Sequence, residues 1–151
     1  MIKYGAIFKQ ENSYYCILQQ IFILKNQNRF FFPAIGWLVV STILFTLPAS
    51  AFPGEKWYDW IPMFDKCVHI GIFSILSFLL CRAIYKVKTV SRKLRRVFIL
   101  IGTLCLFYGI AIEFVQQYWI AYRSFDIGDI IADGAGAAAG VLYSFKRYIK
   151  K

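Results

Sequence analysis

The chain has 151 residues, room for one domain, and 59% of them are hydrophobic and 19% aromatic, with a mean hydropathy of +0.54. A water-soluble domain this apolar would expose patches large enough to aggregate, so the composition points to a multi-pass membrane protein. The net charge of +10 raises nucleic acid as a partner, but the basic residues flank apolar segments and form no binding module, which argues against it.

Residues 1–30 mix apolar and polar side chains. Ile17, Ile21 and Leu24 recur at helical spacing beside Gln19, Gln20 and Lys25, so an amphipathic helix lying in the membrane interface is expected before the first span. An arm without fixed structure is the alternative. From Phe30 to Gly54 no residue is charged, and a first span is expected over 31–52, with Pro33 in its first turn and Pro48 and Pro53 kinking or ending it. Ala49-Ser50-Ala51 has the A-x-A form of a signal-peptide cleavage site, but a thirty-residue leader before the apolar run is too long for that layout.

A second span is expected over 66–85, with Arg82 snorkelling at its end, and a third over 97–120, apolar except for Glu113 and the glutamines that follow. The fourth, over 126–145, is weak by hydropathy, because its uncharged part from Gly134 to Phe145 is too short to span alone. Charge placement argues for it nonetheless. With four spans every lysine and arginine except Lys56, Lys66 and Arg123 falls on one side, which makes both termini cytoplasmic. With three spans the C-terminal Lys146, Arg147, Lys150 and Lys151 would lie outside. Trp57, Tyr58, Trp60, Tyr118, Trp119 and Tyr122 then form an outer aromatic belt, and the basic inner face favours anionic lipid headgroups. The expected fold is therefore all-α: an integral membrane four-helix bundle over 31–151, preceded by an interfacial or cytoplasmic arm over 1–30. Cys16, Cys67, Cys81 and Cys105 have no metal-ligand or C-x-x-C spacing and read as inert thiols.

On this topology Glu55, Asp59, Asp65, Glu113, Asp126, Asp129 and Asp133 all lie on or near the outer side. Glu113 and Asp133 each sit seven residues in from an outer helix end, about 10 Å deep at 1.5 Å per residue. Asp65 and His69 share one face of the second span. Asp126, Asp129 and Asp133 share a face of the fourth, continued by Gly136 and Gly140. Charge inside a membrane is expensive and normally faces the bundle interior. Asp65, His69, Glu113, Gln116, Arg123, Asp126, Asp129 and Asp133 therefore form a candidate outward-facing polar pocket. The blander alternatives are that Asp126 is a helix cap with Asp129 favouring the helix start, Arg123 an interface anchor, and the Gly136/Gly140 GxxxG pair simple helix packing.

These same residues carry a family likeness. Asp65-Lys-Cys-Val-His69 followed by an apolar run, Tyr108-Gly109 with Ile112-Glu113-Phe114-Val115-Gln116, and Arg123-Ser-Phe-Asp126-Ile-Gly-Asp129-Ile-Ile-Ala-Asp133 leading into Gly136 resemble the VanZ-like family of small membrane proteins. The likeness covers roughly residues 35 to 145, and it departs at Asp133, where members usually carry asparagine. The resemblance implies an association with glycopeptide (teicoplanin) resistance in the cell envelope, without a defined catalytic chemistry.

Two functions follow as expectations. The first is an envelope protein of the plasma membrane that binds a lipid-linked or cationic ligand in the acidic pocket. The second is an intramembrane enzyme acting on a lipid-linked envelope substrate, with His69 and a carboxylate in acid–base work. Asp65, His69 and Glu113 could instead take a divalent metal, but one histidine with carboxylates is weakly diagnostic, so no metal is assigned and the cofactor stays open. Coupled transport is disfavoured, because the inner halves of the spans carry no polar groups.

Overall fold

The structure, a computed structural model, describes residues 29–48, 63–87, 91–120 and 123–149. The expected arm helix, the A-x-A motif at 49–51, Glu55, Asp59, Cys16 and the aromatics at 57, 58, 60 and 122 lie outside these residues. Helices occupy almost all of the rest: α1 (Phe32–Thr46), α2 (Phe64–Lys86), α3 (Ser91–Trp119) and α4 (Ile127–Tyr148). Among the described residues the chain is all-α, a bundle of four helices.

Helix α1 starts with Pro33 in its first turn and stops earlier than the expected 31–52. Leu47 is extended (φ −68°, ψ 132°), as a residue before a proline favours, so α1 stops at Thr46, just before Pro48. Its 15 residues reach only about 22 Å, short of a bilayer core of roughly 30 Å. Helix α3 begins six residues before the expected 97–120 and takes the basic stretch into its first turns. Among the described residues, α2 and Leu94–Trp119 of α3 are the helices long and apolar enough to cross a membrane.

Successive helices alternate in direction. Phe45, near the end of α1, packs its ring 4.6 Å from the imidazole of His69 near the start of α2. Tyr85 and Tyr148, near the ends of α2 and α4, stack at 4.4 Å, so these two helices are parallel, while Phe98 near the start of α3 meets Phe145 of α4 at 5.8 Å. The buried positions of α4 are Asp129, Ala132, Asp133, Gly136, Ala137, Gly140, Val141 and Ser144, one continuous three-four stripe. It lies on a matching stripe of α2: His69, Ile72, Phe73, Leu76 and Ser77.

Small residues set the closeness of that contact. A Cβ on Gly136 would come within 3.0 Å of Ile70 Cα and Phe73 Cβ, and one on Gly140 would collide with Ser77 Oγ and the Ser74 carbonyl. Ser74 Oγ also donates to the Gly136 carbonyl at 3.0 Å, a bond only possible because the backbones lie so near.

Helix α1 is fastened to this core by polar contacts. Trp37 Nε1 donates to the Ile72 carbonyl (3.0 Å), and Thr42 Oγ1 pairs with the Tyr108 hydroxyl (2.8 Å). Gln116 Nε2 donates to the Phe45 carbonyl (2.9 Å), one of the carbonyls that a helix end leaves without an intrahelical partner. Gln116 is buried, so Gln116→Leu should orphan that carbonyl and cost about 1–3 kcal/mol, read from denaturant titration of the purified protein in detergent.

Outside, the bundle is apolar: Val39, Val40, Ile43, Ile99, Leu100, Leu104, Phe107, Leu142 and Tyr143 are all more than half exposed. Inside, besides the aliphatic and aromatic core, sit His69, Glu113, Gln116, Asp129 and Asp133. Polar residues within and apolar residues without is the arrangement that lipid, not water, stabilises.

Candidate functional site

The polar residues gather where the starts of α2 and α4 meet the end of α3. The α4 start is built first. Asp126 is its N-cap, in extended conformation (φ −121°, ψ 113°), with Oδ1 accepting from Gly128 N at 2.6 Å. The capping alternative thus describes Asp126 well. From α3, Glu113 Oε2 accepts from the Asp126 backbone N–H (3.0 Å) and Gln117 Oε1 from that of Phe125 (2.7 Å). These two residues, four apart on one face of α3, pin the chain as it turns into α4.

That geometry corrects the expectation that Glu113 and Asp133 lie at one depth. Glu113 faces the first residue before α4, whereas Gly109, one turn deeper on α3, is the residue against Asp133. A Cβ on Gly109 would approach Asp133 Cβ and Cγ within 2.9 Å. Glycine there lets a buried carboxylate lie against the α3 backbone.

One turn into α2, His69 Nδ1 lies 2.8 Å from Asp133 Oδ1, with both side chains 1% exposed. With Asp133 ionised the carboxylate only accepts, which puts the proton on Nδ1; Nε2 faces the other way, toward Asp129 Oδ2 at 4.0 Å. Asp129 Oδ1 is taken by Lys66 Nζ at 3.0 Å, and the same ammonium reaches Asp126 Oδ2 at 2.7 Å. Donor atoms of Asp65, His69 and Asp129 all lie within 4.8 Å of one another, so any ion held here would be ligated by Asp129 and not by Glu113. Two carboxylate oxygens, Glu113 Oε1 and Asp133 Oδ2, are buried and have no hydrogen-bond partner.

The structure therefore unites Asp65, His69, Asp129 and Asp133, with Asp126 and Glu113 at the rim. Two expected members stand apart. Gln116 is turned to α1 and holds Phe45. The Arg123 side chain makes no hydrogen bond or ion pair among the described residues; only its backbone N–H is engaged, to Ile120 O at 3.4 Å. Gly136 and Gly140 lie deeper, at the α2–α4 contact.

The residue that sequence reasoning missed is Lys66. In the sequence it stands out only as a charge on the minority side of the topology. Its signal was its place three residues before His69 on the same helical face, next to an acidic α4 start. Gly128 makes space for it, since a Cβ there would meet Lys66 Nζ at 2.6 Å. Lys66→Met should lower the melting temperature of the purified protein by several degrees, because it leaves the buried Asp129 carboxylate uncompensated. Asp126→Asn should do much less, since that carboxylate is exposed and asparagine caps equally well.

A bundle with an apolar exterior, two helices of spanning length and a buried histidine–carboxylate centre defines a helical membrane protein with an internal polar site. Sequence comparison supplies the family: the VanZ/LLP1 family pattern matches residues 13–147, and the chain belongs to that family. The matched region begins inside the N-terminal stretch that the quoted motifs leave out. An uncharacterised protein of Schizosaccharomyces pombe is 34% identical over 122 residues, covering 78% of this chain and 71% of the relative. No solved structure matches.

Proposed function

We propose that this VanZ-like protein is a multi-pass protein of the plasma membrane whose outer polar centre binds a cationic or lipid-linked envelope ligand. The observation that carries the reading is the unfinished hydrogen bonding of that centre. Glu113 Oε1 and Asp133 Oδ2 are buried acceptors without donors, each costing about 1–3 kcal/mol if left so. A ligand bearing an amine, hydroxyl or metal ion would complete Glu113 Oε1, whereas Asp133 Oδ2 lies against the Gly109 backbone. Charge favours a cation: Asp65, Glu113, Asp126, Asp129 and Asp133 are opposed by Lys66 as the only full positive charge contacting the centre among the described residues.

Alternating helix directions and the lysine and arginine distribution support four crossings with both termini cytoplasmic, which puts the centre at the outer leaflet. The short α1 and the acidic start of α4 would then be accommodated by local thinning or by their neighbours. Cysteine labelling that found the C-terminus outside would overturn this topology.

The family association makes teicoplanin susceptibility the phenotype to test. Expression in a susceptible host should raise the inhibitory concentration, and His69→Ala and Glu113→Gln proteins that still insert should not. Unchanged protection by both variants would remove the polar centre from the function. A second reading, an intramembrane hydrolase or transferase, has one observation of its own. A histidine oriented through Nδ1 by a carboxylate, with Nε2 4.0 Å from Asp129 Oδ2 and beyond hydrogen-bond reach of it, is the arrangement a general base needs. Turnover of a lipid-linked precursor by purified protein would select it.

A further inference from the structure

At the other end of the bundle, the last turns of α2 and α4 enclose a groove of about 420 Å³ lined by Phe78, Arg82, Tyr85, Lys86, Arg147 and Tyr148. It shares no residue with the His69 centre. Its walls are aromatic and ordered: Tyr85 stacks on Tyr148 at 4.4 Å with 22° between the rings, and Phe78 lies parallel to Tyr148 at 6.3 Å. Its charge is of one sign. No carboxylate lines it, and Arg82, Lys86 and Arg147 form no ion pair among the described residues.

The two helix C-termini beneath the groove each contribute a partial negative charge of about one half. Two guanidinium groups and an ammonium exceed that, so the groove attracts an anion. Arginine pairs and forks suit phosphate oxygens, which accept two parallel N–H bonds from one guanidinium. The groove also has an apolar continuation. Phe78 lies one turn inward from Arg82 and packs edge-on against Tyr143 at 5.4 Å, and Tyr143 and Leu142 are 56% and 64% exposed on the apolar outer surface. A ligand seated here meets cations first and aliphatic or aromatic surface beyond them. That sequence matches an amphiphile, not a free anion.

We propose that this groove is a specific site for an anionic phospholipid, with the phosphate headgroup held by Arg82 and Arg147, Tyr85 and Tyr148 at the glycerol level, and the acyl chains along Phe78 and Tyr143. The site is independent of the ligand at the His69 centre. It differs from general attraction to a charged leaflet because particular arginines carry it.

The test is native mass spectrometry of the full chain in detergent, titrated with phosphatidylglycerol or phosphatidylcholine. Phosphatidylglycerol should bind at least about tenfold tighter, and Arg82→Gln with Arg147→Gln should weaken it about thirtyfold, from the effect expected of two basic groups near a lipid surface. Arg95→Gln with Arg96→Gln removes the same charge from exposed positions of α3 outside the groove and should change affinity less than about threefold. Arg147→Gln alone, at an exposed position of α4, gives the same reading should the double variant fail to fold. Equal loss in both double variants, or equal binding of the two lipids, overturns the proposal. Displacement of the lipid by inorganic phosphate at millimolar concentration identifies a soluble-anion site and overturns the lipid assignment.

Discussion

Gly140→Val should prevent α2 and α4 from reaching their native separation. The main obstacle is backbone: a Cβ at this position runs into the Ser74 carbonyl and comes within 3.1 Å of Phe78 N, neither of which can rotate away, and it also meets Ser77 Oγ, which can turn only by giving up its bond to the Ser74 carbonyl. Overpacking ordinarily costs 1–3 kcal/mol, and contact with fixed backbone puts this substitution at about 3 kcal/mol or more. Loss of cooperative unfolding in detergent, or loss of a disulfide engineered between the two helices, would report it. Gly71→Ala is the matched control. Gly71 also lies within a helix, but nothing stands within 4 Å of its would-be Cβ, so alanine should be neutral or stabilise by about 0.5–1 kcal/mol. Equal damage by both substitutions would mean that close packing against α2 is not what makes Gly140 necessary, since helix propensity favours both replacements.

Asp133→Leu should disable the polar centre, whereas Asp133→Asn should keep it. Leucine leaves the His69 Nδ1–H buried without an acceptor, a loss of about 1–3 kcal/mol, and frees the ring to turn. Asparagine presents the same Oδ1 to the same nitrogen and replaces the orphaned second carboxylate oxygen by an amide. It is also the residue that VanZ-like sequences usually carry there. The readouts are thermal stability and, as a test of the proposed function, teicoplanin susceptibility. Should the Asn protein fail as badly as the Leu protein, the contribution of Asp133 is its charge and not its hold on His69, and the cationic-ligand reading gains accordingly.

Some of this molecule could be read directly from the order of its residues. The α4 stripe from Asp129 through Ser144 falls at three-four spacing, so any helix over that stretch must bury acids and glycines on one face. Asp65 and His69 share a face by the same arithmetic. Pro48 marks the end of α1, although only the structure shows the helix stopping at Thr46. These are local consequences of backbone geometry, and they need no knowledge of neighbours.

Which residues meet across helices is a different kind of information. Depth counted along each helix separately put Glu113 level with Asp133. The chain after α3 instead folds back onto Gln117 and Glu113 before α4 begins, so Glu113 serves the Asp126 amide and Gly109 takes the place opposite Asp133. Gln116, one residue from Gln117, points 100° around the helix and holds α1. Lys66 joins the centre because α2 and α4 run parallel and start at the same level, a fact no single helix contains. Residue order alone predicts four helices, their buried faces and the family, while which side chains meet is settled by tertiary packing. The reason is that periodicity fixes where a side chain points around its own helix axis. The shift of one helix along another depends on how closely their surfaces approach, and here Gly109, Gly136 and Gly140 set that distance.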